Sequence, residues 1–203
     1  NSPSHLSSWG RGDWVPVKTR SDKELSSSIY FYVDATILAK AAKLFGKAED
    51  HDHYSKLAQL IRDAINNKFL NRDTGVYAGG SQTEQSMPLM WNVVPEDIRA
   101  KAASALAESV KAAGCHIDCG VLGAKAVLNA LSENGYADIA YNVAVQDTYP
   151  SWGWWVVNGA TSLLENWDLK ATRDISDNHI MFGEIGAWPY KALGGIFPDE
   201  NNP

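Results

Sequence analysis

The densest run of chemistry-bearing residues is Tyr149-Pro150-Ser151-Trp152-Gly153-Trp154-Trp155, followed at once by Asn158-Gly159-Ala160-Thr161 and then Leu164-Glu165-Asn166-Trp167-Asp168. A glutamate flanked by indoles is expected to be partly desolvated, which raises its pKa and makes it a better proton acceptor near neutrality. Glu165 is therefore the leading candidate for a general base, weighed against a plain surface glutamate on a short helix with Trp167 packed beneath it. Much of the tryptophan falls in Gly-rich connections, and flat aromatic faces beside polar groups are what a carbohydrate site needs. Two other clusters read as structural. Glu49-Asp50-His51-Asp52-His53 looks like a metal site, but His51 and His53 diverge on a helix, and the acidic run complements the helix dipole. Cys115 and Cys119 lack further ligands at zinc spacing and read as small half-buried thiols in a loop, so no metal is expected.

These residues sit in a chain of 203, enough for one domain that removes roughly 70 % of its surface from water on folding. Lys+Arg of 18 against Asp+Glu of 24 gives a net charge of −6, with no basic run, which argues against nucleic acid and anionic membranes as partners. No apolar stretch approaches the ~20 residues that span a bilayer. Two cysteines are too few for a disulfide framework and do not fix the compartment. The start at Asn1-Ser2-Pro3, without Met, suggests a processed or excised piece.

The elements that must position the candidates are helical. Ser21-Asp22-Lys23-Glu24 has the form of a capping box, and apolar residues recur at Leu25, Ile29, Val33, Ile37, Ala41 and Leu44 as far as Gly46. A second helix carries Tyr54, Leu57, Ile61, Ile65 and Phe69 before a turn over 71–75. A shorter segment over 82–91 follows, then a helix opened by Pro95 through Ile98, Ala102, Leu106 and Val110 to Gly114. The fifth uses Val121, Leu122, Leu128 and Leu131, and the sixth Tyr136, Ile139, Ala140 and Val143. Trp154–Val157 is the one strand-like stretch, and a last helical pair is predicted over Thr161–Trp167 and Met181–Leu193, with Pro88 and Pro189 kinking or shortening their helices. Short links imply an all-α fold of stacked αα-hairpins. Parity then puts links 9–20, 71–81, 114–119 and 147–160 at one end, and three of the four are rich in Trp, Tyr, Gly or Asp.

The succession Gly12-Asp13-Trp14-Val15-Pro16, Ser81-Gln82-Thr83, Gly120-Val121-Leu122-Gly123-Ala124-Lys125, Tyr149-Pro150-Ser151-Trp152-Gly153, Gly159-Ala160-Thr161 through Glu165-Asn166-Trp167-Asp168, and Asn178-His179-Ile180-Met181-Phe182-Gly183 resembles the bacterial α-L-rhamnosidases of glycoside hydrolase family 78. Each motif alone is weak, and six in order are specific. The resemblance implies part of an (α/α)6 toroid that hydrolyses terminal α-L-rhamnose with inversion and no organic cofactor, acting on a rhamnose-containing glycan or glycoside. It places Glu165 as the general base, His179 against the rhamnose hydroxyls, and Trp14 and Trp152 at aromatic positions near the sugar. Asp13 neighbours Trp14 in the same motif and is counted with the substrate-binding positions.

The departures from the family are specific. Leu164 and Asn166 stand where it often carries Trp and Arg, and Asp177 where His is common. Its general acid lies upstream of Gly-Asp-Trp, so residues 1–203 are expected to form a single incomplete domain that carries the base, lacks the acid and is nearly inactive alone. Glu84 and Glu184 are the remaining carboxylates to weigh as substitutes; one reads as a helix cap and the other as solvent-facing. A ring of twelve helices needs well over 300 residues against about eight helices here, so two open apolar faces and self-association are expected. The competing reading is a non-catalytic glycan-binding or scaffold domain that keeps the aromatic end. An (α/α)6 hydrolase or lyase for uronic sugars ranks last, because it needs Arg or Lys and loop 147–160 has neither.

Overall fold

Helix α1 (Lys23–Leu44) begins where its capping sequence predicts, but Asp22 and not Ser21 supplies the cap. The Asp22 carboxylate accepts the amides of Glu24 and Leu25 at 2.8 and 3.0 Å, whereas Ser21 Oγ is buried without a partner. The computed structural model describes residues 4–197. The four-residue apolar step also fails over the length of α1. An α-helix turns 100° per residue, so such a step drifts about 40° each time. Leu25, Ile29 and Val33 are buried, while Ile37 and Leu44 have rotated out to 57 % and 82 % exposure and Ala35, Ala39 and Ala42 complete the inner face.

Helix α2 (Ala48–Phe69) packs along α1 and buries Ile61, Ile65 and Phe69. A two-rung hairpin, β1 (Leu70–Asn71) with β2 (Val76–Tyr77), follows. Helices α3 (Gln82–Met90) and α4 (Glu96–Ala112) form the next pair, and α5 (Val121–Glu133) and α6 (Ala137–Ala144) the third. Helix α3 lies between α1 and α5 and is buried nearly throughout. Pro88 ends it two residues later, its carbonyl accepting the amides of Val93 and Val94. The fold is all-α, three stacked helical hairpins with one continuous apolar core.

Beyond residue 145 the expected elements change. Trp152–Val157 is a short helix, α7, and not a strand: Ser151 caps it through the Trp154 amide at 2.9 Å, and Trp152 and Trp155, three apart, share its buried face. Thr161–Trp167 is not helical. Its backbone runs antiparallel to 176–179, with Glu165 N donating to Ser176 O at 2.9 Å and His179 N to Leu163 O at 2.8 Å. Met181–Leu193 is broken into a tight turn over Ile180–Phe182, α8 (Glu184–Trp188) and a wide turn over Pro189–Leu193.

The links at one end of the hairpins meet, as alternation of helix direction requires. Asp118 accepts the Lys18 and Thr19 amides and the Thr19 hydroxyl, Gln82 bonds His116 O and Asp118 N, and His116 Nε2 lies 2.8 Å from Thr148 Oγ1. Apolar side chains stay exposed along α1 and at the far edge, among them Leu38, Phe45, Ile180, Tyr190 and Phe197. No helix among the described residues is long and apolar enough to cross a membrane.

Candidate active site

At the loop end of the stack, segment 12–14 lies directly on the start of α5. A Cβ at Gly120 would sit 2.0 Å from Trp14 O, so only glycine permits this approach, and Val121 N donates to that carbonyl at 2.9 Å. Gly120 offers α5 no side-chain cap. Asp13 supplies it from a distant part of the chain: its carboxylate accepts the amides of Gly120, Leu122 and Gly123 at 2.6, 2.7 and 3.3 Å and the Thr83 hydroxyl at 2.5 Å. Burial pushes the Asp13 carboxyl above its ordinary pKa, and these four donors pull it part of the way back. Asp13, counted from sequence among the sugar contacts, is thus buried and fully occupied in fastening Trp14 to α3 and α5.

Trp14, once fixed, reaches the other end of the chain. Its indole Nε1–H donates to Glu165 Oε1 at 3.2 Å, while Glu165 Oε2 accepts the Ser176 amide at 3.2 Å. His179 Nδ1 lies 4.0 Å from Oε2, with the two side chains 25 % and 16 % exposed for His179 and Glu165. Three of the expected residues, Trp14, Glu165 and His179, are therefore brought together. The direction of the Glu165 shift is the reverse of the sequence expectation. The Ser176 amide foremost, then the Trp14 indole, stabilise the carboxylate and outweigh desolvation, with the His179 charge adding to them, so its pKa is lowered. An indole presenting its N–H edge acts as a donor and not only as an apolar screen.

Trp152 lies beneath this group. It is buried, donates Nε1–H to Phe182 O at 3.1 Å and meets Trp167 edge to face at 5.2 Å. Trp167 stacks on Trp155 at 4.6 Å, contacts Phe182 and donates to Cys119 O at 2.7 Å. Phe182 in turn lies under the His179 ring, 6.4 Å between centroids. The aromatic cluster is a floor that holds the 163–182 backbone against α5.

The other candidates are committed elsewhere. Glu84 closes a capping box with Ser81 and also accepts the Asp22 amide. Glu184 does not face solvent freely: its Oε1 accepts from Asn129 and from Lys191 at 2.8 Å. Cys119 is fully buried, its thiol pushed well up by burial. His51 Nδ1 lies 3.0 Å from Ala39 O, and no group of three or more His, Cys, Asp or Glu placed to hold a metal occurs among the described residues. Sequence reasoning missed Ser176, whose amide contact carries no residue-type signal. It also missed the basic residues Arg11, Lys18, Arg20, Lys23 and Arg173, which with Trp14 line a cavity of about 510 Å³. Glu165 itself lines a smaller one of about 240 Å³ with Leu164, Asn166, Ser176 and Asp177.

Residues 1–193 match the family described as bacterial alpha-L-rhamnosidase 6 hairpin glycosidase domain. The chain is 32 % identical over 196 residues to an alpha-L-rhamnosidase of Streptomyces avermitilis, a match covering 93 % of this chain and 19 % of that protein. The crystal structure of the Streptomyces avermitilis alpha-L-rhamnosidase complexed with L-rhamnose superposes with a TM-score of 0.90 at 31 % identity over 98 % of this chain and 20 % of that one. The alpha-L-rhamnosidase of Dictyoglumus thermophilum superposes with a TM-score of 0.86 at 38 % identity, over 94 % and 22 %. The chain thus spans about a fifth of the length of the curated relatives it matches.

Proposed function

The chain belongs to the bacterial alpha-L-rhamnosidase six-hairpin glycosidase family, and from that premise we propose that it carries the base side of an inverting site for terminal α-L-rhamnosides. The observation that supports this most is a single carboxylate, Glu165, oriented by a tryptophan and a backbone amide and set 4.0 Å from a histidine. In this reading Glu165 takes the proton from a water attacking the anomeric carbon, His179 and the exposed edge of Trp14 hold the sugar, and Trp152 and Asp13 support that surface. Inversion also needs a carboxylic acid ~6.5–9.5 Å from the base. Glu84 and Glu184 are both occupied, so the three hairpins form an arc of one toroidal domain, completed by the proton donor of the adjoining arc.

The test is release of rhamnose from an aryl α-L-rhamnoside by the full-length protein that contains this chain. Glu165→Gln is expected to lower turnover by about 10²–10⁴-fold while rhamnose still binds by calorimetry. Turnover that survives the substitution refutes the assignment. The chain alone is expected to bind without turnover and, with both apolar edges uncovered, to self-associate; a clean monomer by light scattering counts against the open arc. The lowered pKa of Glu165 supports a second reading, a glycan-binding domain in which the carboxylate accepts a sugar hydroxyl and no proton. Rhamnose binding without any turnover in the full-length protein is its signature.

A further inference from the structure

The cavity beside Trp14 concentrates charge of one sign in a protein whose net charge has the other. Five basic side chains line it, Arg11, Lys18, Arg20, Lys23 and Arg173, in a chain of net charge −6. Among the described residues none of the five forms an ion pair. Two carboxylates share the lining: Asp13, whose oxygens are taken by four donors, and Asp174. Arg11 lies over the Trp14 ring at 5.4 Å, where its charge is held toward the cavity. Asn166 lines both this cavity and that of Glu165, and Trp14, which lines this cavity beneath Arg11, carries its indole N–H to the Glu165 carboxylate.

Unpaired cations crowded into a concavity repel one another and focus a positive field, and an anion that enters relieves both. Guanidinium groups suit carboxylate and sulfate oxygens in particular, because they donate two parallel hydrogen bonds. We propose that this cavity is a subsite for an anionic sugar of the glycan, one bearing a carboxylate or a sulfate ester, beside the pocket of Glu165. This rests on the reading of Glu165 as the residue acting on rhamnose. It also brings together what the sequence keeps apart: loop 147–160 has no Arg or Lys, but segments 11–23 and 173 meet at this cavity.

The direct test titrates the chain itself with D-glucuronate, D-glucose 6-sulfate and D-glucose, following the Trp14 indole and Arg173 side-chain signals by nuclear magnetic resonance. Saturable shifts are expected with the two anions and none with glucose, and ~0.5 M salt should weaken the anions severalfold. The preferred anion identifies the group recognised. Arg20→Gln with Arg173→Gln should together weaken binding by about tenfold, whereas Lys56→Gln on α2 should not change it. Glucose binding as well as glucuronate, or anion binding indifferent to the double substitution, overturns the proposal. In the full-length protein the double substitution should also lower, by about tenfold, the preference in kcat/KM for a carboxylated over an uncharged rhamnose-terminated oligosaccharide, and an unchanged preference overturns the subsite. Glu165→Gln separates the two readings: it should lower turnover by about 10²–10⁴-fold and leave the anion titration intact, so either can fail without the other.

Discussion

The hairpin stack, residues 23–144, and the site-bearing tail, residues 145–197, are held together by different physics. In the stack, apart from the polar run 82–86 of α3, the buried side chains are mostly aliphatic and spaced by the helical repeat, and most of the polar backbone is satisfied within the helices. In the tail the backbone is largely irregular and is fastened by indoles. Trp167 donates to Cys119 O at 2.7 Å, Trp188 to Ser132 Oγ at 2.9 Å, Trp152 to Phe182 O at 3.1 Å, and Trp14 reaches in from the opposite end of the chain to Glu165 at 3.2 Å. An indole combines a large apolar area with one directional donor and only two side-chain torsions to fix. That combination can hold a backbone in whatever path a carboxylate and an imidazole require. A helix could not present Glu165 and His179 to each other across an antiparallel pair of extended segments.

Trp167→Ala attacks the difference at its strongest point and should have the largest effect. Trp167 is 1 % exposed, stacked on Trp155 and bonded to the Cys119 carbonyl just ahead of α5, so its loss should cost about 3–5 kcal/mol. Hydrogen exchange should show the amides of 163–179 opening well before those of α5. Leu106→Ala, in the core of the stack, should cost about 2–5 kcal/mol and weaken protection throughout. If Trp167→Ala instead loosens α5 as much as the tail, the two regions form one cooperative unit and the distinction disappears.

A pair of caps makes the same contrast at lower energy. Asp22 caps α1 locally, and Asp22→Ala should cost about 1 kcal/mol. Asp13 caps α5 from a remote segment and serves four donors. Asp13→Asn places an NH₂ group against N–H and O–H donors and should cost about 2–3 kcal/mol despite its matching shape. Equal losses in urea denaturation would mean that the distant cap carries no more than the local one, and that Trp14 is positioned by something else.

What could be read beforehand follows the same division. The stripe Ile98, Ala102, Leu106, Val110 is buried as its spacing implies, and the hairpin ends meet where alternation of direction requires. Periodicity carries that information because helical bonds are local. It carries none about Thr161–Trp167, whose partners at 176–179 are fixed by backbone groups that every residue possesses. It fails likewise for Trp154–Val157, too short for alternation and helical repeat to differ clearly. Trp14, Glu165 and His179 were recognisable from the motif resemblance. The lowered pKa of Glu165 was not, because its sign depends on which edge of Trp14 faces the carboxylate and on a Ser176 amide whose reach is set by the fold.

Trp14→Phe addresses that last point with the smallest perturbation. The Trp14 backbone bond to α5 is kept, while the indole N–H to Glu165 Oε1 is lost together with the five-membered ring that carries it. A carboxylate held below its ordinary pKa stabilises the fold above the ordinary glutamate range, and that contribution is lost as pH falls through the lowered native value. Removing one donor should move the native value upward toward the ordinary one, although not all the way, because the Ser176 amide is the larger cause and remains. The carboxyl carbon of Glu165, followed by nuclear magnetic resonance, should therefore titrate at higher pH in the variant, with the fold otherwise unaltered. On the proposed role of Glu165 as base, the acid limb of turnover in the full-length protein should move in the same direction. A carboxyl titration unmoved by the substitution would mean that the indole supports Glu165 by packing alone, and that the tail's directional fastening stops short of that carboxylate.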